Sequence, residues 1–187
     1  MLDFAAERRL DGVCQPGTQQ VSQASSGGDL QNVIACANAD TSNLYRIEIT
    51  ENIQLTIGAG VSPNGLQVSG GAKLAIVGAK PSSLYTEIRG QAEAGGYRIL
   101  KVPVGAEVLL EKLDLHDGHA LAPLNGGAIA NYGSLSLRSC RLRNNVAAGG
   151  GGGGIYNSDG ALLLLWSCDM RNNRARAGTG AYGGGAM

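Results

Sequence analysis

The chain has 187 residues, and its 15 basic and 15 acidic side chains cancel to a formal net charge of zero. That balance excludes a strong electrostatic hold on nucleic acid or anionic lipid. The longest apolar run, ALLLLW at 161–166, is far too short to span a bilayer as a helix. Thirty glycines stand against one Phe, one Trp and six Tyr, so the core cannot rest on large aromatics and the backbone must turn tightly in many places.

In chain order, residues 1–28 are rich in Gln, Ser and Gly and are expected to be poorly ordered. Their opening, MLDFAAERRLDG, lacks the apolar stretch of a secretory signal, so an export signal would have to lie outside this chain. DLQNVIACANA (29–39) reads as a short amphipathic helix, with Asp29 as its cap and Leu30, Val33, Ile34 and Ala37 on one stripe. From 45 to 104, YRIEIT, IQLTI, LQV, KLAIV and YRILKVPV alternate between apolar and polar, with glycine or proline between them, and read as irregular strand-bearing rungs.

From 105 to 187 the pattern becomes regular. GGAIANYGSLSLRSCRLRNN (126–145) and GGGIYNSDGALLLLWSCDMRNN (152–173) share a word order, and EVLLEKLDLHDGHA (107–120) fits the same frame. Aligned on Cys140 and Cys168, the apolar residues fall into four columns: Val108/Leu135/Leu163, Leu110/Leu137/Leu165, Leu113/Cys140/Cys168 and Leu115/Leu142/Met170. Steps of two within a column set mark strands with one face buried, and the intervening step of three marks a corner that resets the face. A unit this small cannot bury its own apolar face, whereas stacked copies about 4.8 Å apart can. The fold class is therefore all-β, a right-handed parallel β-helix over 29–187 with a short N-terminal capping helix at 29–39. The outward columns agree with this register: Asp114, Arg141 and Asp169 alternate in sign, and Glu111 faces Arg138.

Asn144, Asn145, Asn172 and Asn173 occupy equivalent turns and form a candidate structural ladder of stacked amides, with Asp117 and Gly118 below them. Cys140 and Cys168 read as a buried thiol stack in preference to a disulfide, although their separation permits one. Cys14 and Cys36 are the candidate disulfide, tying the N-terminal segment to the helix. His116, Asp117 and His119 have a spacing compatible with a loop metal, but no further ligand accompanies them, and neither a metal site nor a cofactor is assigned. GTGAYG (178–183) matches a dinucleotide-binding pattern without the strand-then-helix context such binding requires. The outward residues Asp114, His116, Arg141, Arg143, Asp169 and Arg171 are the candidate binding face. Asp114 and Asp169 lie two rungs apart, about 9.6 Å, too far to share a calcium ion with ligand bonds of about 2.4 Å. No catalytic residue is assigned.

GGAI (126–129), GGGI (152–155) and GGAM (184–187), with LRNN (142–145) and MRNN (170–173), resemble the paired GGA[ILV] and FxxN repeats of the polymorphic outer membrane proteins, with Leu142 and Met170 where that pattern has Phe. The helix followed by ITENIQLTIG also resembles the N-terminal part of such surface proteins. The resemblance covers residues 29–187 and is strongest from 105 onward. It implies a non-catalytic, adhesin- or passenger-like module at the cell surface or outer membrane, with a host-surface protein or glycan as partner. Members of that group are usually far longer and end in a membrane barrel, so a chain stopping at GGGAM reads as a fragment or truncated product, prone to end-to-end self-association. The alternative is a polysaccharide lyase or hydrolase on the same scaffold, which a row of adjacent acidic residues on one outward face would favour.

Overall fold

The computed structural model describes residues 21–24, 27–55, 65–90 and 97–176. The chain opens with β1 (Val21–Ala24) and α1 (Gly27–Ala39), then coils through successive rungs. These comprise β2 (Leu44–Ile49), β3 (Ile53–Gln54) and β4 (Leu66–Gln67), then β5 (Lys73–Gly78), β6 (Thr86–Arg89) and β7 (Leu100–Val102). Next come β8 (Glu107–Glu111), β9 (Leu113–His116), β10 (His119–Leu121) and β11 (Ile129–Asn131), followed by β12 (Ser134–Arg138), β13 (Arg141–Arg143), β14 (Val146–Ala148) and β15 (Ile155–Asn157). The last described rung holds β16 (Leu162–Trp166), β17 (Asp169–Arg171) and β18 (Arg174–Arg176).

Equivalent strands stack into four parallel ladders: β1-β2-β5-β8-β12-β16, β3-β6-β9-β13-β17, β10-β14-β18 and β4-β7-β11-β15. The result is a parallel β-solenoid. The four apolar columns pair in the register read from the repeat, with Leu135 against Val108 and Leu163, and Leu142 against Leu115 and Met170. Two strands differ from the sequence reading. Val21–Ala24, inside the segment expected to be poorly ordered, pairs with β2. β6 stacks between β3 and β9 although its four residues carried too short an alternation to stand out. Thr86 takes the inward place below Leu113, where its hydroxyl donates to the Ile49 carbonyl at 3.2 Å.

The corners explain the step of three. Lys112, Ser139 and Ser167 sit at equivalent places between the first and second ladders, with φ of 53°, 50° and 52°. A single left-handed residue swings the strand round and lets the next inward side chain return to the core. Asp117, Asn144 and Asn172 do the same at the following corner, with φ of 57°, 56° and 55°. The glycine pairs have two separate jobs. Gly126 and Gly152 adopt positive φ, 75° and 69°, whereas a β-carbon on Gly127 would collide with the Gly153 carbonyl of the next rung.

α1 begins two residues before the expected start, so Asp29 lies in its first turn, where a negative charge complements the helix dipole, and does not precede the helix as a cap. Leu30, Ile34 and Ala37 are fully buried against the solenoid core, with Val33 and Cys36 packed beside them. The same helix covers the open edge of β4. Gln31 accepts from Gln67 N at 3.0 Å, and Asn38 donates to Gln67 O at 2.9 Å and accepts from Ser69 N at 2.7 Å. Side-chain amides thus replace the peptide groups that a further strand would supply. At the helix exit Asp40 N donates to Cys36 O at 3.1 Å, and hydrogen bonds led by the Asn43 amide hold the Asp40 carboxyl below its ordinary value despite some burial.

The core runs the length of the coil. Leu135, Leu137, Cys140 and Leu142 are all within 1% of complete burial, whereas Leu165, the counterpart of Leu137 in the last described rung, is 42% exposed. Cys36 is disulfide-bonded and Cys140 and Cys168 are free thiols; Cys14 lies outside the described residues, as does GTGAYG. The Cys140 and Cys168 thiols donate to carbonyls of the rung below, Leu110 at 3.4 Å and Leu137 at 3.5 Å. Burial pushes the Cys140 thiol from 9.0 up to about 12. The folded state therefore holds this proton in a pH range where the unfolded chain releases it. Stability is expected to be unaffected by Cys140 below pH 9.0 and to fall between pH 9.0 and about 12. Denaturant titrations of the native chain and Cys140→Ala over that range should show the steeper decline in the native chain.

A left-handed conformation costs a non-glycine residue about 1–2 kcal/mol, partly offset here by the extra chain entropy that glycine loses. Lys112→Gly is expected to stabilise the fold by about 0.5 kcal/mol and Lys112→Val to destabilise it by about 2 kcal/mol. Asn144→Gly should change little, because Asn already tolerates this region. Chemical unfolding midpoints of the three variants measure the difference.

Candidate functional site

The outward face of the second ladder holds the charged residues singled out from the sequence. One column runs Glu87, Asp114, Arg141, Asp169, and beside it a second runs Arg89, His116, Arg143, Arg171. The register is as expected, but the pairing is not. Asp114 was expected to stand exposed beneath Arg141; it is 4% exposed, and both its oxygens accept from Arg143 Nε, at 2.9 and 3.0 Å. Arg143 also reaches Glu87 at 3.4 Å, and Arg171 Nε holds Asp169 at 2.8 Å. The physical reason is reach. Arg143 and Arg171 lie two residues beyond the acid column on the same face, and their long side chains fold back across it. In the first ladder the expected Glu111–Arg138 pair does form, at 4.0 Å.

Arg141 is left over. Its guanidinium lies 4.0 Å from the ring centre of Tyr85, and among the described residues no carboxylate lies within ion-pair distance of it. Arg141, Arg143, Asp169 and Arg171 line a shallow cleft of about 190 Å³.

His116 and His119 are separated by the corner at Asp117, which sends them to different ladders. His116 is 6% exposed, its Nδ1 lying 3.1 Å from Asp117 Oδ2 and its Nε2 3.8 Å from Glu87 Oε2. Asp117 is also held by Arg89 at 2.9 Å. Among the described residues no group of three or more His, Cys, Asp or Glu side chains is arranged to hold a metal ion. No helix among them is long and apolar enough to cross a membrane.

The asparagine doublets divide their work. Asn144 and Asn172 supply the left-handed corner, and only Asn145 and Asn173 stack their amides. Asn145 Nδ2 donates to Asn173 Oδ1 at 2.9 Å and to Leu115 O at 3.1 Å, while its Oδ1 accepts from Gly118 N at 2.8 Å. A second ladder, Asn131 on Asn157, runs inside the fourth sheet, with Asn131 Nδ2 also donating to Leu162 O at 2.9 Å. Its signal was present in IAN and IYN, each Asn two residues beyond the repeat isoleucine. Arg98 had no such signal: it is 1% exposed, its Nε has no hydrogen-bond partner, and burial lowers its proton affinity while Tyr132 supports the charge.

These features define a parallel β-helix repeat protein with a salt-bridged outer face. No protein-family model, curated protein or solved structure matches the chain.

Asn145→Ala would leave the buried Gly118 N–H without its acceptor, at about 1–3 kcal/mol, and would also remove the amide bonds to the Leu115 carbonyl and to Asn173. It is expected to destabilise by about 3 kcal/mol, whereas Asn144→Ala, a corner substitution, should cost about 1 kcal/mol. Equilibrium unfolding in urea separates the two.

Proposed function

We infer that this chain is a non-catalytic binding module of a cell-surface or secreted protein, of the adhesin or passenger kind. The observation that carries the reading is the state of the carboxylates on the second ladder. Asp114 has both oxygens occupied by Arg143, and Asp169 is held by Arg171. A guanidinium held against each carboxylate opposes a calcium ion there by charge repulsion, while leaving lone pairs for neutral hydrogen-bond donors. The register also separates Asp114 from Asp169 by the Arg141 rung. A stiff rod presenting an exposed, charge-patterned face suits recognition of an extended partner. The resemblance of the GGAI and LRNN repeats to polymorphic outer membrane proteins supports the same reading and a surface location. The partner class is a host-surface protein or a glycan.

The test pairs binding with turnover. Pectin, alginate and glycosaminoglycans, incubated with the protein and calcium, are expected to yield no unsaturated product and no new reducing ends. The immobilised protein should retain a surface glycan or receptor ectodomain. Turnover that vanishes in Asp169→Asn would establish the enzyme reading instead.

A further inference from the structure

We propose that the Arg141 cleft binds the anionic group of an acidic glycan, a carboxylate or sulfate ester borne on a sugar ring. This names the ligand class for the binding face and rests on the binding-module reading.

Of the three guanidiniums lining the cleft, Arg143 is committed to Asp114 and Glu87, and Arg171 to Asp169. Arg141 has no such partner among the described residues, although its register neighbours on both sides are aspartates. The three carboxylates held by Arg143 and Arg171 balance the three guanidiniums, so what distinguishes Arg141 is that no carboxylate among the described residues occupies it, and two further guanidiniums line the same cleft. Arg141 is also positioned before any ligand arrives. Stacking on Tyr85 limits its rotamers, so less side-chain entropy is lost when a ligand docks. Its planar fork offers paired N–H donors to two oxygens of one oxyacid, geometry that a lysine ammonium cannot match.

Asp169 decides between a free anion and a sugar. A carboxylate at the cleft wall repels a small multivalent anion, but it accepts hydrogen bonds from hydroxyl groups. An acidic sugar brings both: an oxyanion for Arg141 and neighbouring hydroxyls for Asp169. The volume, about 190 Å³, is several times the ~30 Å³ share of one water, which leaves room for the oxyanion and part of its ring. The cleft is open, and Arg171 is 74% exposed at its edge, so an oligosaccharide can continue along the face. With one available guanidinium in a cluster whose charges otherwise balance, the affinity should be modest and reduced by salt.

The experiment is a calorimetric titration of the protein with oligogalacturonate, a sulfated glycosaminoglycan oligosaccharide, a neutral oligosaccharide of equal length, and inorganic sulfate. The expected result is binding of one or both acidic oligomers and none of the neutral one, with inorganic sulfate at least tenfold weaker. Arg141→Ala should weaken the acidic ligand at least tenfold and Arg141→Lys several-fold. Arg138→Ala, on the neighbouring ladder, should leave binding unchanged. Unfolding midpoints and circular dichroism of the variants check that each is folded. Equal binding by Arg141→Ala, or inorganic sulfate binding as tightly as the oligomers, overturns the proposal. Retention of a neutral glycan or receptor ectodomain with no acidic ligand bound also overturns it, and leaves the binding-module reading standing.

Discussion

Each rung of the coil presents a row of backbone donors and acceptors to the rung above, and no rung can satisfy them alone. Parallel pairing along four ladders meets this requirement, and the apolar columns settle which register is used. A slip of one residue would turn Leu135, Leu137 and Leu142 to solvent and bring Ser136 and Arg141 inside. The corners follow from the same demand. A strand can resume its inward alternation after a bend only if one residue takes the left-handed region, as Lys112, Ser139 and Ser167 do. The close approach of rungs at the glycine pairs, and the asparagine amides that bond from rung to rung, are further consequences of keeping the stack in step.

A stack has ends, where the pairing has to be replaced. At the N-terminal end β1 completes the edge of the first ladder, and α1 lies over the apolar cross-section. A helix has no spare peptide groups along its side, so Gln31 and Asn38 supply amides to the backbone of Gln67 and Ser69. Along β16 burial falls away, and Leu162, Leu164 and Trp166 point outward and exposed. Their run of apolar residues on both faces contrasts with Ser134, Ser136 and Arg138 one rung below.

The second ladder shows how one scaffold can carry charge without losing stability. Arg143 reaches back across rungs to Asp114 and Glu87, Arg171 holds Asp169 within its own rung, and Arg141 between them is left stacked on an aromatic ring. An exposed pair such as Arg171–Asp169 contributes about 0–1 kcal/mol, whereas buried Asp114 depends on Arg143 to offset its desolvation. The shared consequence of these pairs is geometric: they decide which cation stays available to a ligand.

The amino-acid sequence by itself determined the periodic part of this molecule. The four inward columns, the corner between paired leucines and the stacking of Cys140 on Leu113 were legible because inward alternation has period two and every copy repeats it. The helix was legible from Leu30, Ile34 and Ala37 for the equivalent reason at period 3.6. Tertiary structure alone decided what depends on side-chain reach and on rung-to-rung approach. Register placed Arg141 between two aspartates, yet only the folded geometry gave those aspartates to Arg143 and Arg171 and left Arg141 on Tyr85, a residue from a loop two rungs away. The division of labour within Asn144–Asn145, and the amides of Gln31 and Asn38 at a strand edge, were hidden for the same reason. A column of residues specifies which rungs meet, but not which of several long or polar side chains within reach will form the bond.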